Sequence, residues 1–424
     1  MTNHSSGNIR WTVVVLLFFA TTINYIDRQI LSLIKPILDK ELGWSNTDFG
    51  LVNSAFQGAY GLSLLFFGWF VDRYGAKIGY AVSIAFWSLA AMVHAMAGTA
   101  SSFFIARAAL GLGEGGNFPA AIKSVAIWFP KSERAFATSI FNAGTNAGAI
   151  VAPAAVPFIA LNWGWQWAFI GAGILGLVWL LFWIPWFDIP ERKKLNEEEL
   201  NFIKSNQAED ELIKPIPWTS LLKYRQTWAF ILPKFFTDPV WWFFLIWLPD
   251  FFNKRGLELK TSWVHLVSIY TIVTVLSIAG GWLTGYFLNK GWSVNRSRKT
   301  GMLIFALAAV PILFVTSVGN WQVVLLIGLA GAAHQAWSAN LYTTVSDMFP
   351  KSAVASVIGI GGMAGAIGGM LFPPFVGKIL DQYSVTSVAE AGYAIIFAMC
   401  SCAYLFSWGL MYLLTPDMKK VGEA

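Results

Sequence analysis

Apolar and polar positions divide this chain into segments long enough to cross a membrane. Predominantly apolar runs are separated by short polar connections, and each run approaches the ~20 residues that a helix needs to span a bilayer. No small-residue cleavage site follows the first run, so we expect that run to be retained and not removed as a signal peptide. The pattern predicts an all-α polytopic membrane protein with twelve transmembrane helices, at 11–37, 49–71, 78–98, 101–127, 134–160, 164–187, 226–252, 262–288, 299–318, 321–346, 354–380 and 388–415.

Lysine and arginine are concentrated in every second connection. Arg73 and Lys77 follow the second predicted helix, whereas the connections GTASS, NWGWQ and SVGNW carry neither residue type. The exception is NKRGLELK at 253–260. By the positive-inside rule, both termini and the long loop between the sixth and seventh helices are cytoplasmic.

The long loop and an internal repeat both divide the chain into two halves. We predict an N-terminal six-helix bundle at 1–190, a solvated cytoplasmic linker loop with a short helix at 191–225, and a C-terminal six-helix bundle at 226–424. FPKSERAFATSIFNAGTNAGAIVAP at 129–153 is similar to FPKSAVASVIGIGGMAGAIGGMLFP at 349–373, and the same offset aligns Glu114 with His334. Two halves in parallel repeat are typical of transporters that rock around a site near the middle of the membrane.

The composition supports a membrane protein and excludes other classes. Only 12% of the residues are charged, about half of the ~25% that is usual in soluble proteins. The net charge of +6 comes from basic residues in short loops, so it indicates topology and we expect no nucleic-acid partner. Because Cys400 and Cys402 are two positions apart on a helix, we expect two buried thiols and no mutual disulfide.

Few ionisable residues interrupt the predicted membrane helices, and such residues are functional candidates by default. They include Asp27, Arg28, Arg107, Glu114 and the pair Lys234 and Asp238. An arginine offers planar, permanently charged donors that match a carboxylate. A buried carboxyl can couple transport to a proton gradient, because burial favours its neutral form and a nearby arginine favours its charged form. The structural alternative is two fixed ion pairs between helices 1 and 4, and for Lys234 and Asp238 a structural role and a binding role are both open.

One nucleotide-binding pattern is present but lies in the wrong context. GLGEGG at 111–116 satisfies the Gly-x-Gly-x-x-Gly pattern, which binds dinucleotides only between a strand and a helix of a soluble βαβ unit. Here it lies inside an apolar membrane helix, so we exclude that function. The chain also shows no nucleophile–base pair, no metal-ligand spacing among its four histidines and no appended signalling domain. We therefore expect neither an enzyme with catalytic residues nor a metal site, and no sensor.

The loop between helices 2 and 3 resembles a family signature. GWFVDRYGAK at 68–77 looks like the Gly-x-x-x-Asp-Arg-x-Gly-x-Lys loop of the major facilitator superfamily, and GYFLNKG at 285–291 is a weaker copy. The resemblance implies the twelve-helix major facilitator fold for essentially the whole chain. It also implies that this loop is a conformational latch that does not bind substrate. The latch residues are Gly68, Asp72, Arg73, Gly75 and Lys77.

Helices 1 and 4 resemble one branch of that superfamily. NYIDR at 24–28 and RAALGLGEGGNFPA at 107–120 are similar to the anion:cation symporters. The resemblance implies that Arg28 binds a substrate carboxylate beside Tyr25 and Tyr60. It further implies that the protonatable carboxylates are Asp27 and Glu114, with Arg107 as their partner and Asn117 bonded to a substrate hydroxyl.

Helices 7 and 10 resemble the bacterial hexuronate transporters within that branch. The matching segments are KFFTDPVWWFFLIWLPDFF at 234–252 and AAHQAWSANLYTTVSDMFP at 332–350. Aromatic faces combined with amide and hydroxyl groups suit a sugar ring, which has an apolar C–H face and a polar rim. The candidate substrate-binding residues here are Trp241, Trp242, Gln335, Trp337, Ser338 and Asn340. Members of the branch that carry an asparagine in helix 11 differ from this chain, which has Gly362 and Ala366 there, so Asn142 and Asn146 of helix 5 are alternatives.

These observations lead to one hypothesis about function. We expect a secondary active transporter that imports a sugar-acid anion, a hexuronate such as glucuronate or galacturonate, by proton symport and alternating access. The alternatives are another organic anion, such as an aldonate, or anion exchange without proton coupling. We expect a monomer in a bacterial inner membrane, with the proton as coupling ion and no cofactor.

Overall fold

The computed structural model describes residues 9–193, 195, 197–204, 218–384 and 390–421, so much of the predicted linker at 191–225 lies outside the described residues. Within this part of the chain there are helices and no strands. The helices are Ile9–Leu33 (α1), Lys35–Leu42 (α2), Asn46–Val93 (α3), Ala100–Glu114 (α4), Asn117–Trp128 (α5), Lys131–Trp163 (α6), Gln166–Trp186 (α7), Glu197–Lys204 (α8), Trp218–Leu221 (α9), Arg225–Lys254 (α10), Leu259–Asn289 (α11), Val294–Ala309 (α12), Asn320–Met348 (α13), Lys351–Ser384 (α14) and Ala391–Leu414 (α15). Short 3₁₀ segments are His94–Met96, Pro190–Arg192 and Val310–Ser317.

These helices correspond to the twelve predicted membrane segments. Among the described residues, nine helical segments are long and apolar enough to span a bilayer. One of them, Asn46–Met96, has 51 residues, which at ~1.5 Å per residue suffices for two crossings of a ~30 Å core. The nine segments thus account for ten membrane crossings. The pair α4 and α5 forms the eleventh and the 29-residue α13 forms the twelfth, so all twelve predicted membrane helices are present.

Helices 2 and 3 of the sequence prediction run together as α3. The only non-helical backbone inside it is at Gly75, with φ 84° and ψ 161°. A residue with a Cβ rarely adopts a positive φ, whereas glycine does so at little cost. Gly75 therefore makes the turn that separates two membrane crossings, at the position of the predicted latch loop.

The chain forms two compact units. The first contains Met1–Ile37 and Ala55–Ile213, and the second contains Leu38–Ser54 and Lys214–Ala424. The start of α3, up to Ser54, is part of the second of these units. The predicted bundle boundaries stay a prediction.

Helix α1 packs most extensively on α6 in the first unit. Two glycines of α6 allow this approach, because a Cβ at Gly144 would lie 2.5 Å from the carbonyl oxygen of Phe18 and one at Gly148 would lie 2.6 Å from that of Thr22. Since real Cβ atoms do not approach backbone so closely, larger residues would push α6 away from α1. The contact holds the polar centre of α1, residues 24–28, in a fixed position.

The short helix α8, which lies in the predicted linker, packs on the first unit. Glu199 is 1% exposed and Ile203 is fully buried in the hydrophobic core of that unit. The Arg10 side chain of α1 forms ion pairs with Glu199 at 3.4 Å and with Glu133 of α6 at 3.0 Å. The sequence suggested solvent exposure because three glutamates begin α8, but one of them faces inward toward Arg10.

In the second unit, α10 packs on α14 and α15, and α11 packs on α13. Helix α10 contains Pro233, Pro239 and Pro249, each of which removes a backbone hydrogen bond from the helix. Asp381 near the end of α14 accepts hydrogen bonds from the backbone and side chain of both Asn46 and Thr47, at 2.6–2.9 Å. A distant carboxylate therefore caps the first turn of α3.

Candidate functional site

An ion pair inside the first unit joins α1 to the end of α4. Arg28 Nε donates to Glu114 Oε2 at 2.7 Å, and the two side chains are only 5% and 0% exposed. Glu114 is the last residue of α4, because the helix is interrupted at Gly115 and Gly116 before α5 begins. Sequence reasoning treated this segment as one helix. The interruption places the carboxylate at a helix end beside the centre of α1.

Three aromatic rings surround the guanidinium group of Arg28. Its Cζ atom lies 4.6 Å from the ring centre of Tyr60, 4.9 Å from Tyr25 and 5.2 Å from Phe56. Tyr60 stacks on Phe56 with centroids 5.9 Å apart. Cation–π contacts are stronger where water is excluded, so the rings hold the guanidinium in a fixed orientation. The structure thus brings together the predicted Arg28, Tyr25 and Tyr60.

Asp27 lies next to this pair without a hydrogen-bond partner of its own. The residue is 1% exposed, and among the described residues neither oxygen of its carboxyl accepts a hydrogen bond. Its electrostatic neighbours are Glu114, Arg107 and Arg28. Burying a charged carboxylate without hydrogen bonds is costly, and protonation removes that cost.

Arg107 of α4 supports the backbone of α1. Its Nη2 donates to the carbonyl oxygen of Arg28 at 2.8 Å, and Nη1 is 3.5 Å from that of Asp27. Arg107 is also 2% exposed and lies over the ring of Phe56 at 5.4 Å. The predicted partnership with Asp27 and Glu114 is therefore long-range, whereas its direct contacts position the two charged residues of α1.

The predicted hydroxyl-binding residue Asn117 is fully buried at the start of α5. The Tyr80 hydroxyl donates to Asn117 Oδ1 at 2.5 Å. Asn142 is exposed on α6 and Asn146 is half-buried one turn further along.

A separate aromatic and polar cluster forms inside the second unit. Trp241 of α10 stacks on His334 of α13, with centroids 5.4 Å apart and planes 3° apart. His334 Nδ1 lies 2.9 Å from the hydroxyl oxygen of Tyr404, whose ring contacts Trp337 edge-on at 5.8 Å. Trp337 is fully buried, whereas Trp241 is half-buried. The predicted Trp241 and Trp337 therefore share this cluster.

The other predicted residues of the second unit lie elsewhere on α10 and α13. Asn340 is 3% exposed, and its Oδ1 accepts from Thr284 at 2.7 Å and from Arg298 at 3.3 Å. Trp242, Gln335 and Ser338 are half-buried. The structure thus groups Asn340 with Thr284 and Arg298.

Sequence reasoning missed several residues that complete these two clusters. Phe56 and Tyr404 carry no sequence signal that separates them from ordinary packing aromatics. His334 had a signal, because the internal repeat aligns it with Glu114. The alignment is reflected in structure: each residue is a buried titratable side chain, with its partner on another helix of the same unit.

The predicted latch residues lie on either side of the turn at Gly75 and take part in ion pairs with other helices. Asp72 accepts from Lys123 of α5 at 2.7 Å, and Lys77 is 3.4 Å from Asp188, while Arg73 is exposed. The backbone amide of Ile189 donates to Asp188 and lowers the pKa of its carboxyl, and Lys77 and Arg192 act in the same direction. No Cβ contact would arise at Gly68 or Gly75. These contacts tie the loop after the first crossing of α3 to α5 and to the end of α7.

Comparison with known proteins identifies the family. Residues 17–373 match the model of the Major Facilitator Superfamily. The hexuronate transporter of Escherichia coli (strain K12) is 31% identical over 88% of this chain and 88% of its own length. The probable galactarate/D-glucarate transporter GarP of the same organism is 28% identical over 94% and 95%.

A solved structure confirms the predicted fold. A bacterial homolog to the human lysosomal transporter Spinster, in an inward-facing and occupied conformation, has a TM-score of 0.79, with 16% identity over 99% of this chain and 100% of that one. The predicted all-α, twelve-helix membrane fold and the family resemblance are both confirmed. The chain belongs to the Major Facilitator Superfamily and is a multi-pass membrane transporter, not an enzyme.

Proposed function

We propose that this transporter imports a sugar-acid anion, a hexuronate such as glucuronate or galacturonate, together with protons. The main observation behind this proposal is the environment of Arg28. Its buried guanidinium group forms an ion pair with Glu114 and contacts three aromatic rings. A substrate carboxylate competes with Glu114 for the same donors. The match of guanidinium to carboxylate geometry supports an anionic substrate with that group, and the hexuronate relative supports the sugar part.

Proton coupling follows from the same competition. When a substrate carboxylate takes the donors of Arg28, Glu114 loses the contact that stabilises its charge, and binding a proton becomes favourable. Asp27, buried without a hydrogen bond of its own among the described residues, is the second candidate proton carrier. With one proton per monoanion, transport is electroneutral. With two protons, an inside-negative membrane potential also drives uptake, by ~2.3 kcal/mol per charge and 100 mV.

The remaining predicted roles belong to this proposal. Tyr25 and Tyr60 orient Arg28, Arg107 fixes the backbone of α1, and Asn117 binds a substrate hydroxyl. Trp241 and Trp337 supply apolar faces for the sugar ring, and the loop with Asp72 acts as the latch. The transporter works as a monomer in a bacterial inner membrane, with both termini in the cytoplasm.

Binding to Arg28 variants tests the proposal directly. Purified protein is titrated with glucuronate and with galacturonate, and we expect Arg28→Ala to abolish binding. Arg28→Lys keeps the charge but loses the paired planar donors, so we expect weaker binding by about tenfold or more. Arg225→Ala, at an exposed position on α10, is the control that retains affinity.

A loss of substrate binding can be assigned to the Arg28 side chain only if the variant remains folded. Arg28→Ala leaves Glu114 buried without its partner, whereas the double variant Arg28→Ala with Glu114→Gln removes both charges and restores balance. Both variants are checked by their thermal unfolding midpoint. Affinity for either acid within about twofold of the original in a folded variant would remove Arg28 from the site. Binding of an aldonate in place of both hexuronates would support the alternative substrate.

A further inference from the structure

Another largely buried ion pair lies within α10. Lys234 Nζ is 2.6 Å from Asp238 Oδ2, one helical turn away, and Lys234 also donates to the Tyr342 hydroxyl at 3.1 Å. The ammonium lies 4.8 Å from the centre of the Tyr342 ring. Lys234 therefore has an anion, a hydroxyl and an aromatic face around it. All three groups keep it charged and fixed in place.

The neighbouring helix α14 is shaped around this pair. Phe230, Lys234 and Asp238 follow one another at four-residue spacing along α10. A Cβ at Gly361 would collide with the ring of Phe230, and a Cβ at Gly365 would collide with the carboxylate of Asp238. Gly365 thus leaves room for the acidic group itself. At Gly362, a Cβ would meet nothing within 4 Å, so open space adjoins this packed stripe.

The two partners differ in accessibility. The Lys234 side chain is 6% exposed, whereas that of Asp238 is 18% exposed. Intramembrane charges face the protein interior or a water-filled cavity, because exposure to lipid is costly. The accessible side of the Asp238 carboxylate is therefore expected to face water or a ligand. Lys234 contacts the carboxylate from the buried side.

An accessible carboxylate beside an ammonium group has a definite chemistry. It accepts hydrogen bonds from hydroxyl groups, and charge-assisted bonds of this kind are about twice as strong as neutral ones. It also repels a second carboxylate, because like charges placed together cost several kcal/mol.

We propose that Asp238 binds hydroxyl groups of the sugar acid and discriminates against a second carboxylate, with Lys234 as the positioning residue. The inference rests on the proposed function and narrows its substrate class. It assigns this transporter to monoanionic sugar acids, such as uronates and aldonates, in preference to dianionic sugar diacids. A carboxylate brought next to Asp238 would be repelled, whereas an aldehyde hydrate or a hydroxyl would donate a hydrogen bond to it.

Competition binding tests the assignment on the full-length protein. The ratio of the Kd of D-glucarate to the Kd of D-glucuronate is measured for the original protein, for Asp238→Asn and for Lys234→Met with Asp238→Asn. The double variant leaves no unpaired buried charge, so it stays informative if the single variant fails to fold. Glu390→Gln is the matched control, since Glu390 pairs with Arg255 at 3.5 Å in the same unit.

We expect the original protein and the Glu390→Gln control to prefer glucuronate by at least about tenfold. In both variants that lack the Asp238 charge, the Kd values of glucarate and glucuronate should differ by no more than about threefold. The change should come chiefly from tighter binding of glucarate relative to glucuronate. An unchanged ratio in the double variant would make the pair structural and overturn the assignment. A preference of the original protein for glucarate would overturn it as well, while leaving sugar-acid transport intact. Binding of neither acid by the original protein would refute the proposed function, and this inference with it.

Discussion

The substitution Glu114→Gln separates substrate movement from proton coupling. It mimics the protonated carboxyl, because glutamine has the same shape and no charge. In the structure Glu114 accepts from Arg28 at 2.7 Å and is fully buried. The amide oxygen of glutamine can still accept that hydrogen bond, so Arg28 keeps a partner. We expect the variant to exchange substrate across the membrane but to lose accumulation driven by a proton gradient.

The expected magnitudes follow from the charges involved. One pH unit is worth ~1.36 kcal/mol per proton, so a coupled transporter concentrates substrate about tenfold per pH unit for each proton. Without coupling the concentration ratio falls to about one. Leaving the charge of Arg28 uncompensated would cost up to ~3–5 kcal/mol of stability. The nearby Asp27 and the retained hydrogen bond to the amide oxygen reduce that cost.

The assay compares two fluxes in proteoliposomes. Counterflow of labelled glucuronate into vesicles preloaded with the same acid measures exchange, and uptake against an imposed ΔpH measures coupling. Glu258→Gln, at an exposed position before α11, is the control that keeps both fluxes. Normal ΔpH-driven accumulation by Glu114→Gln would refute the reasoning and leave Asp27 as the candidate coupling residue.

Three further substitutions test other parts of the structure. Asp72→Ala removes the contact with Lys123 at 2.7 Å; we expect slower transport with unchanged substrate affinity, and a large loss of affinity in a binding assay would contradict the latch role. Glu199→Ala removes the ion pair of Arg10 with Glu199 at 3.4 Å and should lower the thermal unfolding midpoint, by more than Glu198→Ala does at an exposed position of the same helix. An equal effect of these two variants would mean that α8 is not held by Arg10. Asp381→Ala removes the carboxylate that caps α3, which should destabilise the start of that helix by about 1–2 kcal/mol. Amide hydrogen exchange at Asn46 and Thr47 should therefore be faster in the variant. Unchanged exchange rates would show that Asp381 does not stabilise this end of α3.

The membrane helices could be predicted because hydropathy and length determine them. The predicted positions match the observed helices to within a few residues, since a bilayer demands long apolar runs whatever they pack against. The glycine at position 75 and the charged residues around it also allowed the turn between helices 2 and 3 to be predicted. The interruption between α4 and α5 was not predicted, because Gly115 and Gly116 occur in membrane helices both as packing contacts and as breaks.

The partners of the polar residues were harder to predict. The sequence singled out Arg28, Glu114 and Arg107 because charges in apolar helices are rare. It could not show that Arg107 would donate to the carbonyls of α1, since backbone acceptors carry no sequence signal. In the same way, the sequence could not show that Asn340 would accept hydrogen bonds from Thr284 and Arg298. Such pairings depend on how helices distant in sequence pack together.

The burial of one side of α8 also depends on a partner that is distant in sequence. Three consecutive glutamates suggested a solvated segment, and two of them are exposed. The third meets Arg10, which lies 189 residues away in the chain. A helical periodicity could have indicated that one face differs from the others, but only the structure supplies the buried cation opposite it.

Uptake of labelled glucuronate and galacturonate into proteoliposomes, with ΔpH and membrane potential imposed separately, tests the central claim most directly. The account predicts accumulation of at least one acid under an inward proton gradient, and a further increase with an inside-negative potential if both Asp27 and Glu114 carry protons. Counterflow of preloaded acid without accumulation under either gradient would contradict proton symport and establish an exchanger. Absence of any flux of both acids would contradict the assignment of a hexuronate as the substrate.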